Sequence, residues 1–238
     1  MKLLALILTS KNNPHYEVFN EGVMKTWASK SYKNINILPY FGRSGKTTEI
    51  VNNVLYVNAP DNFLTLKTLL AFEYALNNIE FDFLIRPNVS TYVRIKKLYD
   101  YLYKKPKNNY YAGPLLNIDG VKYPSGTLMM FSKDIIKKIV DGKSIINENQ
   151  YADDWCIGKY LQDQKIKMSE DIQHYSLIDH WPEEKLINKM FNTPKEEFEK
   201  YMTFRCKTEV PPDPILRSVM KRNDPLKMKY LHKFFKDE

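Results

Sequence analysis

Met1-Lys2-Leu3-Leu4-Ala5-Leu6-Ile7-Leu8-Thr9 is a run of strand length, apolar from Leu3 onward, and it ends in a polar turn at Ser10–Pro14. A segment apolar on both faces suits the first central strand of a parallel sheet, where helices cover both sides. It is too short to span a bilayer and has no small-residue cleavage site behind it. Outward from this strand, Val18, Phe19, Val23 and Trp27 recur at helical spacing over Tyr16–Ser29, and Asn36–Phe41 is a second apolar stretch that stops at Gly42. Strand, helix and strand in that order open a doubly wound α/β fold.

The alternation continues downstream. Val51–Val57 reads as a third strand, and Asn62–Asn77 as a helix with Leu66, Leu69, Leu70, Ala71, Phe72 and Leu76 on a helical period. Phe81–Ile85 is a buried strand followed by polar Arg86–Ser90, and Val93–Tyr103 is helical. Beyond Lys104–Asn109 the elements shorten: strand-like Tyr110–Leu116, a turn at Asp119–Gly120, a strand at Leu128–Phe131, and helices at Asp134–Val140 and Asp153–Gln162. From Pro182 the chain is charged and its helical patterns are interrupted by proline, with a loop at Val210–Pro214. Ligands of open α/β sheets bind at the carboxyl ends of the strands, which directs attention to Thr9–Lys11 and Arg86–Ser90.

A chain of 238 residues is long enough for one α/β domain with a substantial core. We expect a single domain in three parts, 1–105, 106–181 and 182–238. Hydrophobic residues make up 43% and charged residues 27%, which excludes a disordered chain and a membrane bundle. The net charge of +8 favours an anionic partner: nucleic acid, an anionic membrane surface or a phosphate-bearing substrate. Lys, Asn, Ile and Tyr are abundant while Ala and Gly are scarce, a bias of A+T-rich genomes that discounts the lysine excess. Cys156 and Cys206 lie far apart without C-x-x-C spacing, so neither a zinc site nor a disulfide framework is expected.

Gly42-Arg43-Ser44-Gly45-Lys46-Thr47 imitates the second half of a phosphate-binding loop. The first glycine of that motif would fall on Tyr40, and a strand rather than a helix follows, so a solvent loop is the better reading.

Four segments carry more weight as an ordered set. Asp61-Asn62-Phe63-Leu64-Thr65-Leu66-Lys67-Thr68 resembles the D-x-Y-x-N-L-T-L-K-T helix start of the beta-1,3-galactosyltransferase and Fringe family of GT-A glycosyltransferases. Tyr123-Pro124-Ser125-Gly126-Thr127, running through Leu128–Phe131 into Ser132-Lys133-Asp134, is similar to that family's Y-P-x-x-x-S-G-x-G-Y-x-x-S-x-D segment with a shorter gap after the proline. Asp153-Asp154-Trp155-Cys156-Ile157-Gly158 resembles its E-D-V-x-x-G helix start. Phe83–Ser90 stands where the family has a strand followed by the metal-binding D-x-D, but here Arg86, Asn88 and Ser90 replace the acids. This R-x-N-x-S form resembles glycosyltransferase-like sequences of large DNA viruses and some bacteria, and Thr203-Phe204-Arg205-Cys206-Lys207 is similar to their C-terminal F-R-x-K segment.

The resemblance implies a GT-A, Rossmann-like domain with a mixed, mostly parallel central sheet and inverting transfer from a nucleotide-sugar donor, a UDP-sugar, to a hydroxyl of a glycan or glycoprotein. It also implies a donor-binding half over 1–105, an acceptor and catalytic half over 106–181 and a helical extension over 182–238. The donor would lie against Thr9, Ser10, Lys67, Arg86, Asn88, Ser90, Arg205 and Lys207, and the acceptor against Tyr123, Ser125, Gly126 and Trp181. The Golgi enzymes of the family carry an anchor that is not visible here, which implies action in the cytoplasm, that of an infected cell if the protein is viral.

Chemistry constrains these positions independently. Sugar transfer needs a base for the acceptor hydroxyl and positive charge for the departing diphosphate. Asp153 and Asp154 suit the first need, although acids in a first helical turn also serve the helix dipole and the cap. We expect Asp154 as the base with Asp153 capping the helix. With the D-x-D replaced, either another carboxylate or a histidine holds a divalent ion (Mn or Mg), or Arg86, Arg205 and Lys207 take its place. His174 and His180 are the metal-ligand candidates, against the commoner role of a lone histidine in packing. Two rival classes stand beside this reading: a basic nucleic-acid-binding protein, and a catalytically inactive glycosyltransferase fold that binds sugar or protein.

Overall fold

The computed structural model describes residues 1–147, 152–170, 174–180, 190–209 and 221–236, without the side chains of 179 and 180. Contacts divide the chain into two compact units that alternate along the sequence. The first comprises Met1–Lys11, Ser31–Asn88 and Tyr101–Ile172, and the second Asn12–Lys30, Val89–Asp100 and Gln173–Glu238.

In chain order the elements begin with β1 (Leu3–Leu8), α1 (His15–Val18), β2 (Ile35–Gly42), β3 (Glu49–Val51), β4 (Val54–Val57), α2 (Leu64–Asn78), β5 (Phe83–Pro87) and β6 (Thr91–Val93). There follow α3 (Ile95–Tyr103), β7 (Tyr111–Ala112), β8 (Leu115–Ile118), β9 (Val121–Pro124), β10 (Leu128–Ser132), α4 (Lys133–Asp141), α5 (Lys143–Asn147) and α6 (Asp153–Asp163). The remaining described elements are β11 (His174–Ser176), β12 (Asp179–His180), α7 (Lys195–Glu199), β13 (Thr203–Arg205), β14 (Thr208–Glu209) and α8 (Asp224–Phe235).

A seven-stranded sheet in the order β3-β4-β2-β1-β5-β10-β7 organises the first unit. Strands β4, β2, β1 and β5 run parallel, while β3, β10 and β7 extend the two sides by antiparallel pairing. This is the mixed, mostly parallel α/β sheet expected from the sequence. All six residues of β1 are buried, as its apolar run requires. Leu4, Leu6, Leu38, Leu55 and Leu84 pack against Leu69, Phe72, Ile135 and Ile157, so α2, α4 and α6 cover one face. A β8–β9 hairpin turns at Asp119 and Gly120, both at positive φ (53° and 77°), where Asp and Gly are the tolerant residues.

The second unit has a three-stranded sheet, β11-β13-β6, and a pair, β12-β14. Its core is aromatic: Phe204 meets Tyr92, Tyr175, Phe198 and Phe235. Two buried cations are satisfied within it, Lys227 by the Leu177 carbonyl at 2.8 Å and Arg222 by Asp224 and the Ser90 hydroxyl. Among the described residues no helix is long and apolar enough to cross a membrane.

Three expectations need correction. The Tyr16–Ser29 helix is a single α turn, His15–Val18, continued by a π turn over Phe19–Val23. Thr26 donates its hydroxyl to the Gly22 carbonyl at 2.7 Å, taking the acceptor the next helical turn would use. The Val51–Val57 strand is instead the β3–β4 hairpin, because Asn52 and Asn53 adopt φ of 51° and 59°. Tyr110–Leu116 is split into β7 and β8 at Gly113-Pro114. The Gly42–Thr47 segment is a loop followed by β3, not a phosphate-binding loop followed by a helix.

Candidate functional site

The carboxyl edge of the parallel strands in the first unit holds two ionic clusters, each built on a buried cation.

The first lies at the ends of β1 and β2 and the start of α2. Asp61 accepts from the Ser10 hydroxyl (2.6 Å), the Lys11 amide (2.9 Å), the Gly42 amide (2.9 Å) and Lys67 Nζ (3.0 Å). Lys67 is fully buried and also donates to the carbonyls of Thr9 (2.9 Å) and Asp61 (2.6 Å), so three oxygens take its three donors. Burial acts most strongly on both groups. It lowers the Lys67 pKa, whereas for Asp61 the four hydrogen bonds outweigh it and hold the carboxyl below its ordinary value. Glycine is required at position 42, where a Cβ would stand 2.6 Å from both the Ala59 carbonyl oxygen and Asp61 Cα.

The second cluster lies at the ends of β5 and β10 and the start of α6. Arg86, buried to 1% side-chain exposure, forms an ion pair with Asp153 and donates Nη1 to the Gly126 carbonyl (2.8 Å) and Nε to the Tyr40 hydroxyl (3.4 Å). Thr68 donates its hydroxyl to Asp153 Oδ2 at 2.7 Å, which leaves Tyr40 as the donor in the 2.8 Å contact between Tyr40 and Thr68. The result is a continuous buried network across β2, α2, α6 and β5. Burial pushes the Tyr40 phenol up to about 12 and opposes ionisation of Arg86, but the charges of Asp153 and Asp154, with the hydrogen bond to the neutral Tyr40 hydroxyl, outweigh that and keep the guanidinium protonated.

Asp154 is half-buried beside this network. Its Oδ2 accepts the Gly126 amide at 2.6 Å and its Oδ1 the Trp155 amide at 2.8 Å. Burial, followed by the neighbouring Asp153 charge, raises its pKa above the ordinary carboxylate value against the opposing pull of Arg86 and the two amides. The Tyr111 hydroxyl is a buried polar atom with no hydrogen-bond partner among the described residues, and its pKa is driven well upward by burial and by the charge of Asp154. A Cβ at Gly126 would come within 2.8 Å of Arg86 Nη1 and 3.0 Å of Asp154 Oδ2 and would push both aside.

Thr9 and Asn88 meet the same edge, since Leu8 bridges Asn88 in parallel fashion; among the described residues the buried Thr9 hydroxyl has no hydrogen-bond partner. The Asn88 amide approaches the Thr127 carbonyl at 3.4 Å. Ser125 and Thr127 share a 3.0 Å hydroxyl contact. Tyr123 is buried at 3% exposure, with its Cβ 2.2 Å from where a Cβ of Gly158 would stand. Asp153 caps nothing: the cap position is Ala152, with no side-chain cap bond, and the carboxylate is committed to Arg86 and Thr68 instead.

Ser90, Arg205, Lys207 and His174 belong to the second unit. There Arg222 holds Ser90, Lys207 faces Glu209 at 3.8 Å, and Arg205 Nε is buried without a partner among the described residues. His174 Nδ1 lies 2.9 Å from the Thr203 hydroxyl, and burial together with the Arg205 charge lowers its pKa to about 4, so the ring is neutral. The His180 side chain and Trp181 lie outside the described residues. Among the described residues no three His, Cys, Asp or Glu side chains group to hold a metal ion. Where a D-x-D would place carboxylates, a buried guanidinium stands, so the groups described at this edge do not fit a divalent ion.

Residues to which the sequence assigned no role complete the edge. Tyr40 and Thr68 extend the Arg86 network, and Lys11 Nζ and the Arg43 guanidinium approach the Tyr56 ring at 4.9 Å and 4.8 Å. Positions 11 and 43, each just past the carboxyl end of a parallel strand, were the available signal for the cations.

No family model and no curated protein matches the chain. Solved structures similar to it include the apo-form glycosyltransferase GlyE of Streptococcus pneumoniae TIGR4, with a TM-score of 0.49, 10% identity, and coverage of 97% of this chain and 63% of that one. An active-site mutant of LgtC is similar at a TM-score of 0.48 and 10% identity, covering 97% of this chain and 95% of the other. The chain therefore spans somewhat less than two thirds of the GlyE chain's length.

Proposed function

We propose that the protein is a GT-A glycosyltransferase that moves a sugar from a UDP-sugar to a hydroxyl of a glycan or glycoprotein acceptor with inversion. The observation that carries this reading is the convergence of Asp61–Thr68, Phe83–Asn88, Tyr123–Thr127 and Asp153–Gly158 on one sheet edge, with a single half-buried carboxylate, Asp154, left outside the ion pairs.

In the proposed reaction Asp154 accepts the proton of the acceptor hydroxyl. The acceptor oxygen bonds to the anomeric carbon as the bond from that carbon to the diphosphate oxygen breaks, and UDP leaves with the bonding electrons. Gly126 N–H and Trp155 N–H fix the base. The donor lies along Thr9–Lys11 and Asn88, with Lys11 and Arg43 supplying positive charge toward the diphosphate. Arg86 and Lys67 contribute their field from beneath rather than by contact.

Thermal-shift measurements with UDP, GDP and CMP and their sugars test the donor assignment, since a ligand that binds only the folded state raises Tm. UDP or a UDP-sugar is expected to give the largest shift. Absence of a shift by any nucleoside diphosphate at millimolar concentration overturns the donor site, and binding without hydrolysis or transfer from any sugar nucleotide assigns the fold to binding alone.

A further inference from the structure

Gly126 is held from two sides by side chains of opposite charge. Its carbonyl accepts Arg86 Nη1 at 2.8 Å, and its amide donates to Asp154 Oδ2 at 2.6 Å. A Cβ at this position would stand 2.8 Å from the guanidinium and 3.0 Å from the carboxylate, so it would have to displace both side chains that hold the glycine. Arg86 is itself fixed, with the Asp153 ion pair on one side and the Tyr40 hydroxyl behind it. Asp153 is anchored by Thr68 on a different helix.

We propose that Arg86, locked by Asp153, is the positioning residue for Asp154 and acts through the Gly126 backbone, whose carbonyl it binds while the amide holds the Asp154 carboxylate. This rests on the reading of Asp154 as the base.

The charge count gives the arrangement a purpose. Asp153 and Asp154 together carry two negative charges against the single positive charge of Arg86, so the half-buried cluster is singly negative while Asp154 is ionised. Uptake of a proton by Asp154 brings the cluster to neutrality, the state that burial favours. Asp154 faces Asp153 from its own helix, Arg86 from β5, Tyr111 from β7 and Tyr123 from β9, and both tyrosines are raised in pKa and remain uncharged. Among these charged and titratable neighbours Arg86 favours the ionised form, alongside the Gly126 and Trp155 amides, and one glycine links it to the carboxylate.

The test uses nuclear magnetic resonance of the whole chain and needs no substrate. The Gly126 amide proton and the Asp154 carboxyl carbon are followed against pH in the native protein, in Arg86→Lys and in the charge-neutral double variant Arg86→Met with Asp153→Leu. In the native protein the Gly126 amide is expected to shift with the same midpoint as the Asp154 carboxyl. In both folded variants that coupled shift is expected to fall by half or more, because lysine offers a single nitrogen where arginine reaches the Gly126 carbonyl with Nη1 and Asp153 with Nη2, and methionine binds neither. A Gly126 amide that still follows Asp154 with native amplitude in either variant overturns the proposal. The double variant removes both members of the buried ion pair and so leaves Asp153 no stranded charge, which keeps the test decisive if Arg86→Lys does not fold. If sugar transfer is detected, Arg86→Lys is expected to lower kcat by about tenfold or more with an unchanged donor KM. Loss of coupling in a protein that transfers no sugar leaves the positioning role standing and removes only the glycosyltransferase reading.

Discussion

Asp61 and Asp154 stand at the same edge of one sheet, each beside a buried cation, yet their surroundings move them in opposite directions. Asp61 accepts from four donors and is paired one-to-one with Lys67; Asp154 accepts from two amides and shares Arg86 with a second carboxylate that already holds it. Desolvation acts on both, so the number of donors, with the like charge of Asp153 beside Asp154, decides the sign: the Asp61 pKa falls and that of Asp154 rises. A carboxylate saturated with donors fixes loops. One left short of donors in a half-buried place retains the capacity to take a proton.

The largest expected effect comes from breaking the pair that separates the two cases. Arg86→Ala leaves Asp153 charged, buried and unpaired, and a loss of about 3–5 kcal/mol is expected, read as a fall in the calorimetric Tm. The charge-neutral double variant is expected to recover most of that loss. Equal destabilisation by the single and double variants would show that packing of the long side chain, not its charge, holds the cluster.

Next in size is the effect of Asp154→Asn on turnover. Asparagine can still accept the Gly126 amide but cannot take a proton, so turnover is expected to fall by roughly a hundredfold or more while donor affinity stays nearly constant. Transfer assays alongside calorimetric titration with UDP separate the two quantities. Native turnover in Asp154→Asn removes Asp154 as the base.

Much of this comparison was legible in the sequence. The strand at Leu3–Leu8, the helix at Leu64–Asn78 and the Asp153-Asp154 pair at a helix start follow from apolar periodicity and spacing. What could not be read was partnership. Nothing in the local sequence says that Asp153 reaches Arg86, 67 positions away, instead of capping its own helix, or that Lys67 points inward to the Thr9 carbonyl. Those contacts depend on how parallel strands align their ends, and strand order is set by tertiary packing. The Asn52-Asn53 turn was missed for a different reason: apolar residues on both sides gave the segment the composition of one strand, whereas paired asparagines at positive φ are the signature of a hairpin.

Asp61→Asn tests the other side of the comparison and is expected to cost about 1–3 kcal/mol, because it removes the charge opposite the fully buried Lys67 and weakens four hydrogen bonds. The contribution follows the ionised form. With the folded-state pKa below the unfolded value of about 4, the stabilisation is present above that value and is lost as pH falls through the folded one. The difference in Tm between native protein and variant should therefore narrow in acid. A gap of the same size at pH 7 and at pH 3 would show that geometry rather than charge makes Asp61 a tie.

The smallest effect has the opposite sign, which makes it the sharpest discriminator. With the Asp154 pKa raised on folding, the native state binds a proton in the window between the unfolded and folded values, where the unfolded chain has released it. Stability then falls as pH rises through that window, and above it the ionised carboxylate is a standing cost to the fold. Asp154→Asn removes that cost and keeps an acceptor for the Gly126 amide, so at pH 7 its Tm should lie about 2 °C above that of the native protein, with the advantage vanishing below the unfolded carboxylate value of about 4. A protein made more stable and less active by the same substitution is the expected mark of a reactive group held in an unfavourable place. If Asp154→Asn instead lowers Tm at pH 7 as Asp61→Asn does, the two carboxylates are ties of the same kind, and the contrast between them fails.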